Sequence, residues 1–180
     1  VLSPVVSGSV SEIDQTSNTT DSGLSGILVA SDVDGETLIY GIEGGTATSG
    51  TTAITSIGSY GTLSLDSSTG VYSYAKNIAK IEALDASEKA SDVFTFSVTD
   101  GDGALVTQTY TVNITGADDY PVLSPVVSGS ISEIDQTSNT TDSGLSGILV
   151  ASDVDGETLI YGIEGGIGDV TITSIGSYGT

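Results

Sequence analysis

The side chains that could do chemistry in this sequence are carboxylates. Asp32-Val33-Asp34-Gly35-Glu36 sets two aspartates one residue apart, and Asp153-Val154-Asp155-Gly156-Glu157 repeats the string. Asp100-Gly101-Asp102-Gly103 has the same spacing, Asp118-Asp119 stand just before Tyr120-Pro121, and Glu12 and Asp85 lie alone. Calcium takes six to eight oxygen ligands, mostly carboxylate with some backbone carbonyl. An Asp-x-Asp on an extended strand end points both carboxylates to one side, where they can share a cation. Two carboxylates about 4 Å apart repel by roughly 4 kcal/mol at an effective dielectric of 20, and a bound divalent ion reverses that sign. Asp and Gly also favour turns for backbone reasons, so a single Asp-Gly pair carries little weight. Several clusters with almost no cation to pair them carry more. No run has the spacing of an EF-hand loop, and the glycine-rich nonapeptide of calcium-binding β-rolls is missing. Ligands must therefore converge from separate strands.

Composition narrows the alternatives. The chain holds 24 acidic residues against Lys76, Lys80 and Lys89, with no Arg or His, for a net charge of -21. Nucleic acid and anionic membrane are excluded as partners, since both are gripped by Lys and Arg. Without His or Cys, nucleophiles activated by histidine and the usual zinc ligand sets are impossible. Catalysis by paired carboxylates is the one enzymatic route left, and the expectation is a protein that is not an enzyme. Lacking disulfides, an extracellular chain of this kind needs another staple, and bound metal is the usual one. No apolar run approaches a membrane span and no signal peptide is present, so the expectation is a soluble, secreted chain whose export signal lies outside it.

The elements that must position these acids come in two copies. Val1 to Gly45 returns as Val122 to Gly166 with one change, Val10 to Ile131, so the period is 121 residues. After it, Thr46 to Ala53 (TATSGTTA) gives way to Ile167 to Thr171 (IGDVT), and both copies rejoin on ITSIGSYGT, ending at Thr62 and Thr180. A length change confined to a Gly/Ser/Thr-rich stretch marks an exposed loop. A period this long is a domain rather than a solenoid repeat. The expected organisation is one complete repeat over 1–121, a linker over 116–122 in which Pro121 limits swing, and the N-terminal half of a second repeat over 122–180. A half-copy buries little core and leaves strand edges open, so it is expected to be partly ordered or completed by another chain.

Within a repeat, short runs alternate apolar and small polar residues, the period of half-buried strands. Seven strands are expected. Val5 to Val10 reads as an edge strand weakened by Pro4 and Gly8, followed by Leu24 to Ala30, Thr37 to Ile42, Gly61 to Asp66 and Val71 to Tyr74. Val93 to Thr99 alternates most cleanly and turns through Asp100-Gly103 into Val106 to Thr115. Asn77 to Asp92 breaks the pattern, and Ile78, Ile81 and Leu84 at spacing three suggest one or two helical turns. The count fits an all-β, Greek-key sandwich of immunoglobulin-like size. The Tyr and Phe residues lie mostly on strands and are expected in the core.

Taken in order, SGSVSEID (7–14), VASDVDGETLIYGIE (29–43), GSYGTLSLDSSTGVYSY (58–74), ALDASEKASDVFTFSVTDGDGA (83–104) and TVNITGADDYPV (111–122) resemble the VCBS repeat of large bacterial adhesins of the RTX type, itself cadherin-like. The resemblance covers essentially the whole repeat. It implies a calcium-binding tandem repeat with acids at two poles. Asp32, Asp34 and Asp100, with Asp102 in the same turn, would face a preceding domain. Glu12 and Asp85 would meet the linker acids Asp118 and Asp119, and Asp153 and Asp155 of the next copy. Ser87 stands where cadherins place the Glu of LDxE, with Glu88 one residue late, and the linker is shorter in acids. Both departures imply fewer or weaker ions than a cadherin junction, in the affinity range of roughly 10⁻⁴ to 10⁻³ M for extracellular modules.

The resulting expectation is a calcium-rigidified spacer of a secreted cell-surface adhesin, serving cell adhesion or biofilm formation, with neighbouring repeats of its own chain as partners. A glycan- or protein-binding module, a homophilic adhesion domain and an appendage of an extracellular hydrolase stay open as alternatives.

Overall fold

The computed structural model describes residues 1–86, 88–137 and 139–164. Ser87, and the second copy from residue 165 onward with its shortened Ile167–Thr171 stretch, lie outside the described residues. The chain divides into two compact units, Val1–Asp119 and Tyr120–Thr180.

The first unit is built almost wholly of strands: β1 Gly8–Ile13, β2 Thr16–Ser22, β3 Ser25–Ile27, β4 Ile39–Ile42, β5 Thr46–Ala47, β6 Ala53–Ile57, β7 Gly61–Asp66, β8 Val71–Lys76, β9 Lys89–Thr99 and β10 Leu105–Thr115. One helical turn, α1 Ile78–Ile81, interrupts them. The strands form two five-stranded sheets, ordered β2-β1-β10-β9-β4 and β3-β8-β7-β6-β5. The chain crosses between sheets after β2, β3, β4 and β8, the interleaving expected of a Greek-key sandwich. β1 lies parallel to β10, and the other pairs are antiparallel.

Alternation explains why the sheets face each other. Phe94, Phe96 and Val98 of β9 and Tyr110, Val112 and Ile114 of β10 are buried, as are Leu63 and Leu65 of β7 and Tyr72 and Tyr74 of β8. Successive strand side chains point to opposite faces, so each strand gives one row to a shared core. Rings meet across the sandwich: Tyr72 lies 5.0 Å from Phe96 and 5.3 Å from Tyr110, and Tyr74 lies 6.1 Å from Phe94. Ile81 of α1 and Leu84 after it are buried in the same core, so the helical turn plugs one end of it.

Ten strands form where the pattern suggests seven, for identifiable reasons. β2 is a sheet edge with almost every side chain exposed, so its polar sequence carries no alternation. β5 has two residues and serves the exposed Thr46–Ala53 hairpin tip. β6 is half-buried along most of its length, which blurs its period. The first strand also differs from expectation. It starts at Gly8, after Pro4, and runs between β2 and β10, so it is an interior strand rather than an edge. The expected linker shifts as well: Gly116 and Ala117 are buried against the first unit.

In the second unit the described strands are β11 Val122–Leu123, β12 Ser130–Glu133, β13 Thr140–Ser143 and β14 Ala151–Ser152, paired as β11–β14 and β12–β13.

Candidate metal centre

Two carboxylate triads stand at opposite ends of the sheet that carries β9 and β10. Leu105 pairs with Thr99 at one end and Thr115 with Lys89 at the other. At about 3.4 Å per residue the ends are roughly 34 Å apart. Asp100 follows β9 at the first end. Glu12, one residue past the Ser11–Thr115 pair, is at the second.

At the Asp100 end, the Leu2–Ala30 bridge brings the chain into the turn Asp32–Gly35. The Asp34 amide donates to Asp32 Oδ1 at 2.8 Å, and Gly35 takes φ +83°, a conformation nearly free of cost only for glycine. This turn folds the string back, so the pair is not on an extended strand end. Asp34 contributes its amide, while Glu36 joins Asp32: Asp32, Glu36 and Asp100 each offer an oxygen, all within 4.8 Å of one another. Asp100 is held by its own turn, with Oδ1 accepting from Asp102 at 3.1 Å and Ala104 at 2.8 Å. Asp102 again gives its amide, not its carboxylate, to the arrangement.

At the other end, Glu12, Glu82 and Asp119 form a second triad within 4.8 Å. They come from β1, the residue after α1 and the chain leaving the unit. Glu12 is 9% exposed, and its Oε2 accepts the Ala117 amide at 3.1 Å. Gln15, at φ 61°, donates its own amide to Asp119 Oδ1 at 2.6 Å and its side-chain Nε2 to the Asp118 carbonyl at 2.9 Å. Gly116 donates to the Glu88 carbonyl at 3.0 Å. The acidic segment Gly116–Asp119 is thus hydrogen-bonded to the first unit along its length. Asp85 and Asp118 also bring carboxylate oxygens within 4.8 Å of each other.

In the second unit, Asp153 and Asp155 repeat the turn, with the Asp155 amide donating to Asp153 Oδ1 at 3.0 Å. Among the described residues, neither belongs to a three-carboxylate group, and nor do Asp34 and Asp102.

Carboxylates this close oppose one another: at 4.8 Å each pair repels by roughly 3 kcal/mol at an effective dielectric of 20. Of the three lysines, Lys76 is committed to Asp21 of β2, at 2.6 Å. The donor set is all oxygen, which suits a hard cation such as calcium, and three carboxylates supply at most six of its six to eight ligands. Backbone carbonyls or water would complete the shell. Not every buried acid belongs to such a set. Asp92, 4% exposed, is satisfied by the amides of Ser59 and Tyr60 and by the Tyr74 hydroxyl, and it is a structural residue.

Glu36 and Glu82 escaped the sequence reading. Glu36 sits inside the quoted acidic string, but the extended geometry assumed there favours Asp34. Glu82 lies in the one segment without strand period. Its signal was its place beside Ile81, on the buried side of a helical turn.

A family model described as bacterial cadherin-like domain matches residues 2–116. The chain belongs to this family. No curated protein matches it. The matched span coincides with the ten-stranded sandwich, so the cadherin-like domain is an all-β sandwich by both sequence and structure. Membership of this family suggests a bacterial surface repeat of adhesin type, and such domains are typically structural and extracellular. Cadherin-like domains generally bind calcium, and both triads have the chemistry to hold a metal ion. Among the described residues, no helix is long and apolar enough to cross a membrane.

Proposed function

We propose that this cadherin-like domain is a calcium-stiffened spacer in a secreted bacterial adhesin of the VCBS, RTX-associated kind. Its role is mechanical: it extends an array so that a distal domain reaches a cell-surface glycan or protein in adhesion or biofilm formation. The observation that supports this best is the Glu12–Glu82–Asp119 triad. It joins a strand end, the helical turn and the segment leaving the domain, so one cation there would tie all three together. The remaining charge has the same logic, since a chain at -21 is relieved of self-repulsion by divalent ions. At its affinity range of roughly 10⁻⁴ to 10⁻³ M, such a site fills outside the cell and empties in low calcium.

The test is thermal melting and small-angle scattering of the chain in millimolar calcium and in chelator. Calcium should raise the melting temperature and narrow the spread of molecular dimensions, and magnesium should do so less. Identical melts and scattering in both conditions would sink the proposal.

A further inference from the structure

Four aspartates in this chain are followed directly by glycine: Asp34, Asp100, Asp102 and Asp155. Such a pair can react with itself. A glycine amide nitrogen, with no Cβ beside it, is the least hindered nucleophile of the backbone, and the preceding carboxyl carbon lies within reach of a five-membered ring. The sequence ranks the four pairs alike. Hydrogen bonding separates them, because the carboxyl group must be free to swing over the next nitrogen and that nitrogen must be free to attack.

At Asp100 the carboxyl group is pinned: its Oδ1 accepts the amides of Asp102 at 3.1 Å and Ala104 at 2.8 Å. At Asp102 the nucleophile is engaged, since the Gly103 amide donates to the Asp100 carbonyl at 3.3 Å. Asp155 is half-buried, and its Oδ1 is shielded from solvent. Asp34 differs from all three. Its own amide donates to Asp32 Oδ1 at 2.8 Å, which holds the backbone and leaves the side chain loose. Asp34 and Gly35 are both exposed, and neither the Asp34 carboxylate nor the Gly35 amide has a hydrogen-bond partner among the described residues. Gly35 sits at φ +83°, and beyond its two chain neighbours nothing lies within 4 Å of the place a Cβ would take.

We propose that Asp34-Gly35 is a site of spontaneous isoaspartate formation, the fastest of the four pairs in the folded chain. The Gly35 nitrogen attacks the side-chain carboxyl carbon of Asp34 in its acid form. A C–N bond forms, the carboxyl hydroxyl leaves with the amide proton as water, and a succinimide closes. Water then opens the ring at either carbonyl. Opening at the side-chain carbonyl restores aspartate, and opening at the main-chain carbonyl leaves the chain running through the β-carbon. One water is lost and one regained, with no other reactant. The isomer carries an extra methylene in the main chain between Asp32 and Glu36. Those two acids reach Asp100 through this turn, so the change pulls the triad apart. A resulting loss of calcium rests on the spacer reading; the isomerisation does not.

Val29–Glu43 and Val150–Glu164 are the same sequence, so peptides from the two copies coincide. The test therefore uses the full chain carrying Asp155→Glu, which tells the copies apart and needs a less favourable six-membered ring to react. The chain is held for several weeks in warm neutral buffer made with heavy-oxygen water, then digested. Electron-transfer fragmentation locates isoaspartate, and heavy oxygen at the same residue marks passage through the imide. Isoaspartate at residue 34 should exceed that at 100 and at 102 several-fold in the folded chain. In urea, where the turns are lost, the three levels should converge. No isoaspartate at 34, a level at 100 or 102 that equals it in the folded chain, or an excess at 34 that persists in urea would each overturn the proposal. The reaction needs no ion, so its failure leaves the spacer reading standing.

Discussion

The Tyr74 hydroxyl donates to Asp92 Oδ2 at 2.7 Å, a buried hydrogen bond that joins β8 of one sheet to β9 of the other. Asp92 also accepts the amides of Ser59 at 2.7 Å and Tyr60 at 3.0 Å, fixing the β6–β7 turn to the same point. Gly58 is required there, because a Cβ would run into the Asp92 carboxylate.

Asp92→Ala should destabilise the domain by about 3 kcal/mol, since it strands the buried Tyr74 hydroxyl and takes the acceptor from the part-buried amides of Ser59 and Tyr60. Tyr74→Phe should cost only about 1 kcal/mol, as one bond is lost and the ring packing remains. Gly58→Ala should fall nearer the first than the second. Urea unfolding of the three variants gives the order directly.

Stability should fail on the alkaline side in a defined window. Burial, followed by the hydrogen bond to Asp92, holds the Tyr74 phenol well above the usual tyrosine range. Burial pushes Tyr110 up to about 12 and raises Tyr72 too. A phenol near 10 when unfolded and higher when folded keeps more protons in the native state. Its stabilisation is complete below about pH 10 and is lost as pH climbs through 12. The melting temperature should therefore drop between these values, with phenolate absorbance from the three rings appearing together with unfolding. Their ionisation in a still-folded domain would contradict the burial argument.

Glu82 should matter to calcium as much as Glu12 does. Glu82→Gln and Glu12→Gln should each weaken calcium affinity by about tenfold, equivalent to roughly 1.4 kcal/mol. Glu43→Gln, at an exposed acid outside both triads, should leave it unchanged. Calorimetric titration of the three variants distinguishes a site from diffuse attraction to a charged surface.

Gln15 should act as an anchor for the segment leaving the domain. Gln15→Ala keeps the amide bond to Asp119 but removes the side-chain bond to Asp118, at a cost of about 1 kcal/mol. Gln15→Gly removes the same bond, yet it should be more stable than the alanine variant by about 1 kcal/mol, because the left-handed φ penalises a Cβ. Amide exchange at Gly116 and Ala117 should quicken in both.

Much of the fold is legible in the residues because a sandwich core is written locally. Phe94, Phe96 and Val98, or Leu63 and Leu65, declare their buried face by period two alone, and β7 has the bounds its pattern suggests. β2 was not legible, since an edge strand exposed on both faces has no period to display. The acid pairs were legible as a composition. Their grouping was not, since a turn at Asp32–Gly35 exchanges Asp34 for Glu36.

By itself the sequence determined the repeat, the alternating core, the excess of negative charge and the oxygen-only donor chemistry, because each of these is a property of residue type and near spacing. Tertiary structure alone decided which acids share a site. Glu12, Glu82 and Asp119 meet only because β1 runs parallel beside β10, α1 plugs the core end, and Gln15 ties down the exit segment. Contacts between residues that far apart in the chain are fixed by how strands pair and layers pack, and no local pattern records them.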